Sequence, residues 1–185
     1  FHYIPYILLN NCLIYYTLTY HSIYMINISE KLKDIKILAK KKNLILSTAE
    51  SCTGGLIAKY LTDLPGSSEF FDSSLITYSN ISKTLLLDVK HESIQTYGAV
   101  SKEVVIEMSV GLLSKNTANL GIAVSGIMGP ESDDTLKKVG SVWSCYKYKE
   151  HIKTINFKVA GSRSENREET AKTVIINLYD FINEL

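Results

Sequence analysis

Leu44-Ile45-Leu46-Ser47-Thr48-Ala49-Glu50-Ser51-Cys52-Thr53-Gly54-Gly55-Leu56-Ile57-Ala58 passes from an apolar triplet, through a turn of hydroxyls and glycines, into a second apolar run. The triplet predicts a short buried strand, and the run continuing to Leu61 predicts a helix, so the stretch reads as a strand, a turn and a helix. Units of this kind build layered α/β proteins, whose small-ligand sites form in turns at strand ends. Two further turns of the same character follow, Pro65-Gly66-Ser67-Ser68 and Ser125-Gly126-Ile127-Met128-Gly129-Pro130. The three together point to a pocket.

Outward from this unit the pattern stays mixed. Ile28, Leu32, Ile35 and Leu38-Ala39 recur at helical spacing and predict an amphipathic helix from Ile28 to Lys42 that covers one sheet face. Phe70-Phe71 and Ser74 to Tyr78 predict a strand, with Ser79 or Asn80 capping a helix from Ile81 and a short helical piece from His91 to Tyr97. Ser101-Lys102-Glu103-Val104 is close to a capping signature and opens a helix expected to reach Ala118. Strands follow at Gly121 to Val124, Gly140 to Tyr148 and Ile152 to Val159, the last two as an antiparallel hairpin, before a helix from Asn166 to Phe181. This order predicts a three-layer α/β/α sandwich with a mixed sheet.

Composition narrows the function classes. The 185 residues support one sizeable core, 45% hydrophobic and 21% charged residues are ordinary for a globular domain, and 20 Lys+Arg against 19 Asp+Glu leave no basic field for nucleic acid. Cys12, Cys52 and Cys145 have neither metal-ligand spacing nor a disulfide framework, which fits a reducing cytoplasm. Residues 1–24 hold half of the 12 tyrosines and no charged side chain. Asn10, Asn11, Thr17 and Thr19 interrupt any membrane-length run, and no basic region precedes a signal sequence. They read as an atypical tail of translated upstream sequence rather than a membrane anchor, with Met25 as the start of the 25–185 domain.

Several residues carry candidate chemistry. Ser51, Thr53, Gly54 and Gly55 either bind an anion or a developing oxyanion, or simply cap the helix; both readings stand. The turn lacks the P-loop spacing and the Gly-x-Ser-x-Gly elbow. Ser67 and Ser68 read as a cap or turn on residues alone. Lys83, in a predicted first helical turn after Tyr78, meets the unfavourable end of the helix dipole, a field that favours the neutral amine and its use as a base for a serine. The alternative is a solvated surface lysine. His91 and His151 have no informative acidic partner, and His2 and His21 fall in the tail, so a serine with a non-histidine base is the best covalent mechanism available. The only two arginines, Arg163 and Arg167, lie four residues apart and mark either a planar fork for phosphate or carboxylate, or a solvated helix face.

The blocks Ala49 to Gly55, Asp63 to Ser68, Thr77-Tyr78-Ser79-Asn80 with Lys83, Gly98-Ala99-Val100-Ser101, Ser125 to Pro130 and Val139-Gly140-Ser141-Val142-Trp143 occur in an order that resembles the CinA C-terminal domain family over residues 28 to 183. The resemblance implies a cytoplasmic, stand-alone amidohydrolase of pyridine nucleotide and NAD metabolism. It would convert nicotinamide mononucleotide and water to nicotinate mononucleotide and ammonia, with no cofactor or metal, no nucleic-acid or membrane partner, and a homo-oligomeric, dimeric assembly. It implies Ser68 as nucleophile and Lys83 as its base, with Ser51 and Tyr78 orienting the amide and Ser51 as the alternative nucleophile. Substrate would be held by Thr53, Gly54, Gly55, Ser101, Ser125, Gly126, Gly129, Arg163 and Arg167. The chain departs from the family pattern at Met128, where a small residue is usual, in the glycine-free stretch Glu131 to Thr135, at Lys138 and at Ser162. The competing expectation is a catalytically weak nucleotide-binding or interaction module that keeps the fold.

Overall fold

In the computed structural model, which describes residues 28–132 and 137–185, the strand of the expected strand-turn-helix unit lies one place in from the edge of a five-stranded sheet. The strands are β1 (Leu46–Glu50), β2 (Phe71–Ile76), β3 (Leu120–Gly126), β4 (Ser141–Tyr148) and β5 (His151–Lys158), in the spatial order β2-β1-β3-β4-β5. β1 is parallel to both β2 and β3, whereas β3–β4 and β4–β5 are antiparallel, so the sheet is mixed. The helices are α1 (28–41), α2 (Leu56–Thr62), α3 (Asn80–Leu87), α4 (His91–Tyr97), α5 (Lys102–Ser114) and α6 (Arg163–Glu184).

Side-chain alternation along β3 creates the three layers. Ile122 and Val124 enter a core with Ile35, Ile57, Leu61, Val174 and Leu178, from α1, α2 and α6. Ala123, between them, enters a second core with Leu87, Ile94, Val104, Met108 and Leu112, from α3, α4 and α5. Period-two strands between apolar helix faces bury both sides of the sheet, as the α/β/α expectation requires. Helices α3 and α5 approach closely because Gly111 has no side chain: a Cβ there would stand 1.7 Å from the Leu87 carbonyl oxygen.

Three of the boundaries that differ from expectation have a visible cause. β1 begins at Leu46, where the sequence strand was expected to end, and runs through Ser47, Thr48 and Glu50, all fully buried. The polar run is tolerated because its side chains have partners: Thr48 Oγ1 donates to Ser74 Oγ at 2.7 Å, and Ser47 Oγ accepts from Asn116 Nδ2 at 2.9 Å. That same Asn116 ends α5 early, since its Oδ1 accepts from the Ala118 amide and competes with a further helical turn. α6 begins at Arg163, three residues before Asn166, because Ser162 and Glu165 form a reciprocal capping box. The tail expectation for residues 1–24 and the start at Met25 lie outside the described residues.

Candidate active site

The carboxyl ends of β1, β2 and β3 share one edge of the sheet. The chain leaves β1 for β2 on one side, then crosses to β3 on the other, and ligands of open α/β sheets bind at such a reversal. Ser51 is the first residue beyond β1, and its amide donates to the Val124 carbonyl of β3. Lys83 reaches the same point from α3, whose entry is fixed by Ser79 and Ser82 in a capping box.

Lys83 Nζ lies 3.1 Å from Ser51 Oγ. It donates to the Thr77 carbonyl at 3.0 Å and is 3.4 Å from that of Tyr78. Only 1% of the lysine is exposed, and burial pushes its pKa down from 10.5 to about 8. A neutral amine has two N–H groups and one lone pair; two carbonyls face the former, leaving the lone pair for the serine hydroxyl. Burial pushes the Cys52 thiol up to about 12, so it remains protonated at neutral pH and does not compete as a nucleophile.

Ser51 and Lys83 open into a cavity of about 310 Å³, also lined by Tyr78, Ser125, Gly126, Gly129 and Arg163. Its size falls within the range of small-ligand sites. Arg163 spans one wall, donating from Nη1 to the Gly129 carbonyl and from Nη2 to the Tyr78 hydroxyl, each at 2.5 Å. Ser125 Oγ donates to the Ala99 carbonyl at 2.8 Å, which anchors the loop after β3. Met128 is turned into the core, where Thr170 Oγ1 meets its sulfur, while Asn166 Nδ2 holds its carbonyl. The larger side chain is thus accommodated beneath α6. Part of the glycine-free stretch, at 133–135, lies outside the described residues.

Six of the expected site residues, Ser68, Ser101, Thr53, Gly54, Gly55 and Arg167, lie outside this cavity. Ser68 is exposed on a short 3-10 turn (Ser67–Glu69) that precedes β2, whereas Lys83 follows it. A six-residue strand spans roughly 20 Å, so the structure does not bring the Ser68 hydroxyl to the Lys83 amine. Ser101 caps α5, accepting from the Val104 amide and donating to the Gly98 carbonyl. Thr53 is fully buried, and its hydroxyl donates to Glu50 at 2.6 Å. Arg167 does not join Arg163; its Nη2 donates to the Thr53 carbonyl at 2.8 Å, directly against Gly54.

The α2 amides expected to receive an anion are also engaged. Gly55 and Ile57 donate to Glu50 Oε2, and Ala58 to Oε1, so the turn is braced by a carboxylate of the chain itself. Glu50 went unremarked in the sequence. Its signal was an acid three residues before Thr53, just ahead of a helix start.

The fold, with a serine and a lysine paired at a cavity on the carboxyl edge of its parallel strands, defines a layered α/β protein with a site of small-ligand size. Residues 29–182 match the family model of the CinA C-terminal domain, and the chain belongs to that family. A CinA-like protein of Colwellia psychrerythraea is 50% identical over 115 residues, which make up 62% of this chain and 27% of that protein. The chain therefore spans about a quarter of that longer relative. The nicotinamide-nucleotide amidohydrolase PncC of Enterobacter agglomerans is 42% identical over 139 residues, 75% of this chain and 85% of the relative. The crystal structure of a CinA superfamily protein from Klebsiella pneumoniae superposes with a TM-score of 0.82 at 28% identity, covering 85% of this chain and 99% of that one.

Proposed function

We propose that the protein is an amidohydrolase that converts nicotinamide mononucleotide and water to nicotinate mononucleotide and ammonia, with Ser51 as the nucleophile and Lys83 as its base. The 3.1 Å approach of Lys83 Nζ to Ser51 Oγ on the wall of the cavity carries this reading, and the name of the PncC relative supplies the substrate. Ser51 Oγ attacks the carboxamide carbon while Lys83 takes its proton; the protonated lysine returns that proton to nitrogen as the C–N bond breaks and ammonia leaves. Water then loses a proton to Lys83 and attacks the acyl carbon; the bond to Ser51 Oγ breaks as Lys83 gives that proton to it, and the product leaves as the acid and ionises to the carboxylate. The Tyr78 hydroxyl, which accepts from Arg163, keeps its own hydrogen to donate to the amide oxygen.

Release of ammonia from nicotinamide mononucleotide, followed with a coupled assay in the presence of a chelator, tests the activity. No release from folded protein that still binds the nucleotide would favour the catalytically weak binding module. No helix among the described residues is long and apolar enough to cross a membrane.

Arg163 is assigned to the 5′-phosphate. Two of its N–H groups are engaged with Gly129 and Tyr78, which leaves donors of the same fixed fork for an anion at the cavity wall. Arg163→Lys keeps the charge and loses the fork. It should lower kcat/KM for the nucleotide about 10-fold, the scale of one charge-assisted hydrogen bond, and change that for nicotinamide riboside by less than about 3-fold. An equal proportional loss for both substrates would replace the phosphate role with a general effect on cavity shape through Tyr78.

A further inference from the structure

We propose that Glu50 is a positioning residue: its carboxylate, acting with Arg167 on Thr53, locks the turn that aims Ser51 at Lys83, and neither charge touches the substrate. The inference rests on Ser51 and Lys83 being the reacting pair.

Glu50 is fully buried and stands immediately before Ser51. Oε2 accepts from Thr53 Oγ1 at 2.6 Å, from the Gly55 amide at 2.8 Å and from the Ile57 amide at 3.2 Å. Oε1 accepts from the Ala58 amide at 2.8 Å. These four donors lie in the turn and the first turn of α2, so the carboxylate, standing at the end of β1, ties that strand to the start of α2. Arg167, from α6, holds the Thr53 carbonyl from the other side, and Thr53 is thereby gripped at its hydroxyl and its backbone.

The main chain of Glu50 completes the link. Its carbonyl accepts from the Thr77 amide at 2.8 Å, and the Thr77 carbonyl in turn accepts from Lys83 Nζ. One residue thus sets the nucleophile through its side chain and the base through its backbone. Adjacent strand positions point to opposite faces, which is why the acid braces α2 while the serine faces α3.

A buried carboxylate is costly to desolvate unless its lone pairs are satisfied, and all four hydrogen bonds here come from the turn and the start of α2. Glutamine cannot substitute. Whichever way its amide is turned, an NH2 group faces a backbone N–H that Glu50 now satisfies.

The test uses the full chain and a fluorophosphonate, which labels an activated serine and counts working sites. Glu50→Gln should lower kcat per labelled site about 10- to 100-fold, the cost of a misplaced reacting group. KM should stay within about 3-fold, and the pH limb near 8 should be retained, since Glu50 acts on position and not on the Lys83 charge. Arg167→Leu should lower kcat per labelled site in the same direction by less.

An unchanged kcat per labelled site, with only fewer sites to label, would reduce Glu50 to a folding role and overturn the proposal. A shifted pH limb would overturn it by showing that the charge acts on the lysine. Should Glu50→Gln fail to fold, Thr53→Val removes one donor to the carboxylate; it must lower kcat per labelled site several-fold, or the proposal fails. If the wild type is labelled at Ser51 but does not hydrolyse nicotinamide mononucleotide, the substrate reading fails alone, and the labelling rate replaces kcat in every comparison. If Ser51 is not labelled, the reading of the reacting pair and this inference fall together.

Discussion

Ser51→Ala should abolish turnover of nicotinamide mononucleotide, lowering kcat at least about 1,000-fold, while Ser68→Ala should stay within about 2-fold of the parent. The contrast follows from strand direction. Ser51 follows the carboxyl end of β1 and Ser68 precedes the parallel β2, so the two hydroxyls lie at opposite edges of the sheet, and of the two only Ser51 has the Lys83 amine at 3.1 Å. Removing Oγ from Ser51 leaves the cavity in place, so on the proposed reading nucleotide binding measured by calorimetry should survive. A 1,000-fold loss in Ser68→Ala with near-normal Ser51→Ala would reverse the assignment.

Lys83→Met should lower kcat by about 100-fold or more, the usual contribution of a positioned proton-transfer group, and should remove the pH limb that the parent shows. In the parent the neutral amine is the working form. Activity should therefore rise with pH through about 8 and level off above it. The same burial has a stability consequence. Because the folded pKa of Lys83 is lowered from 10.5 to about 8, the unfolded chain binds more protons between those values, and stability rises with pH across that window. The penalty is fully present below about pH 8 and is on the order of 3 kcal/mol. Lys83→Met removes it, so the inactive variant should melt no lower than the parent at pH 7, and higher if methionine fills the space. A lower melting temperature together with an unchanged pH limb would mean that Lys83 is structural and that another group supplies the base.

The layered α/β class was legible because α1, α5 and the β4–β5 hairpin carry apolar positions at the period of their own secondary structure. β1 was not. Its Ser47, Thr48 and Glu50 look like loop residues, and only the partners Ser74, Asn116 and the α2 amides, distant in sequence or hidden by the turn, make their burial tolerable. The start of α6 was legible in principle from Ser162-x-x-Glu165, a capping pattern.

For the site, hydroxyls and glycines in three turns pointed to a pocket, and two of those turns line it, the ones after β1 and β3. The third sits at the amino end of β2. Which sheet edge a turn occupies depends on strand order and direction, and neither is written in a local motif. Arg163 and Arg167 look alike in sequence, yet their fourfold spacing on α6 places one guanidinium at Tyr78 and the other at Thr53. Ser51 and Lys83 are 32 residues apart, and their approach depends on the Glu50 carbonyl holding Thr77.

The most direct measurement is the position of the acyl group in enzyme quenched with acid during turnover of a slow nicotinamide mononucleotide analogue, located by intact mass and then by peptide mapping. The adduct should lie on Ser51 and accumulate more when water attack is slowed. An adduct on Ser68, or turnover by a folded enzyme in which Ser51→Ala retains normal activity, would contradict covalent catalysis by the Ser51 and Lys83 pair.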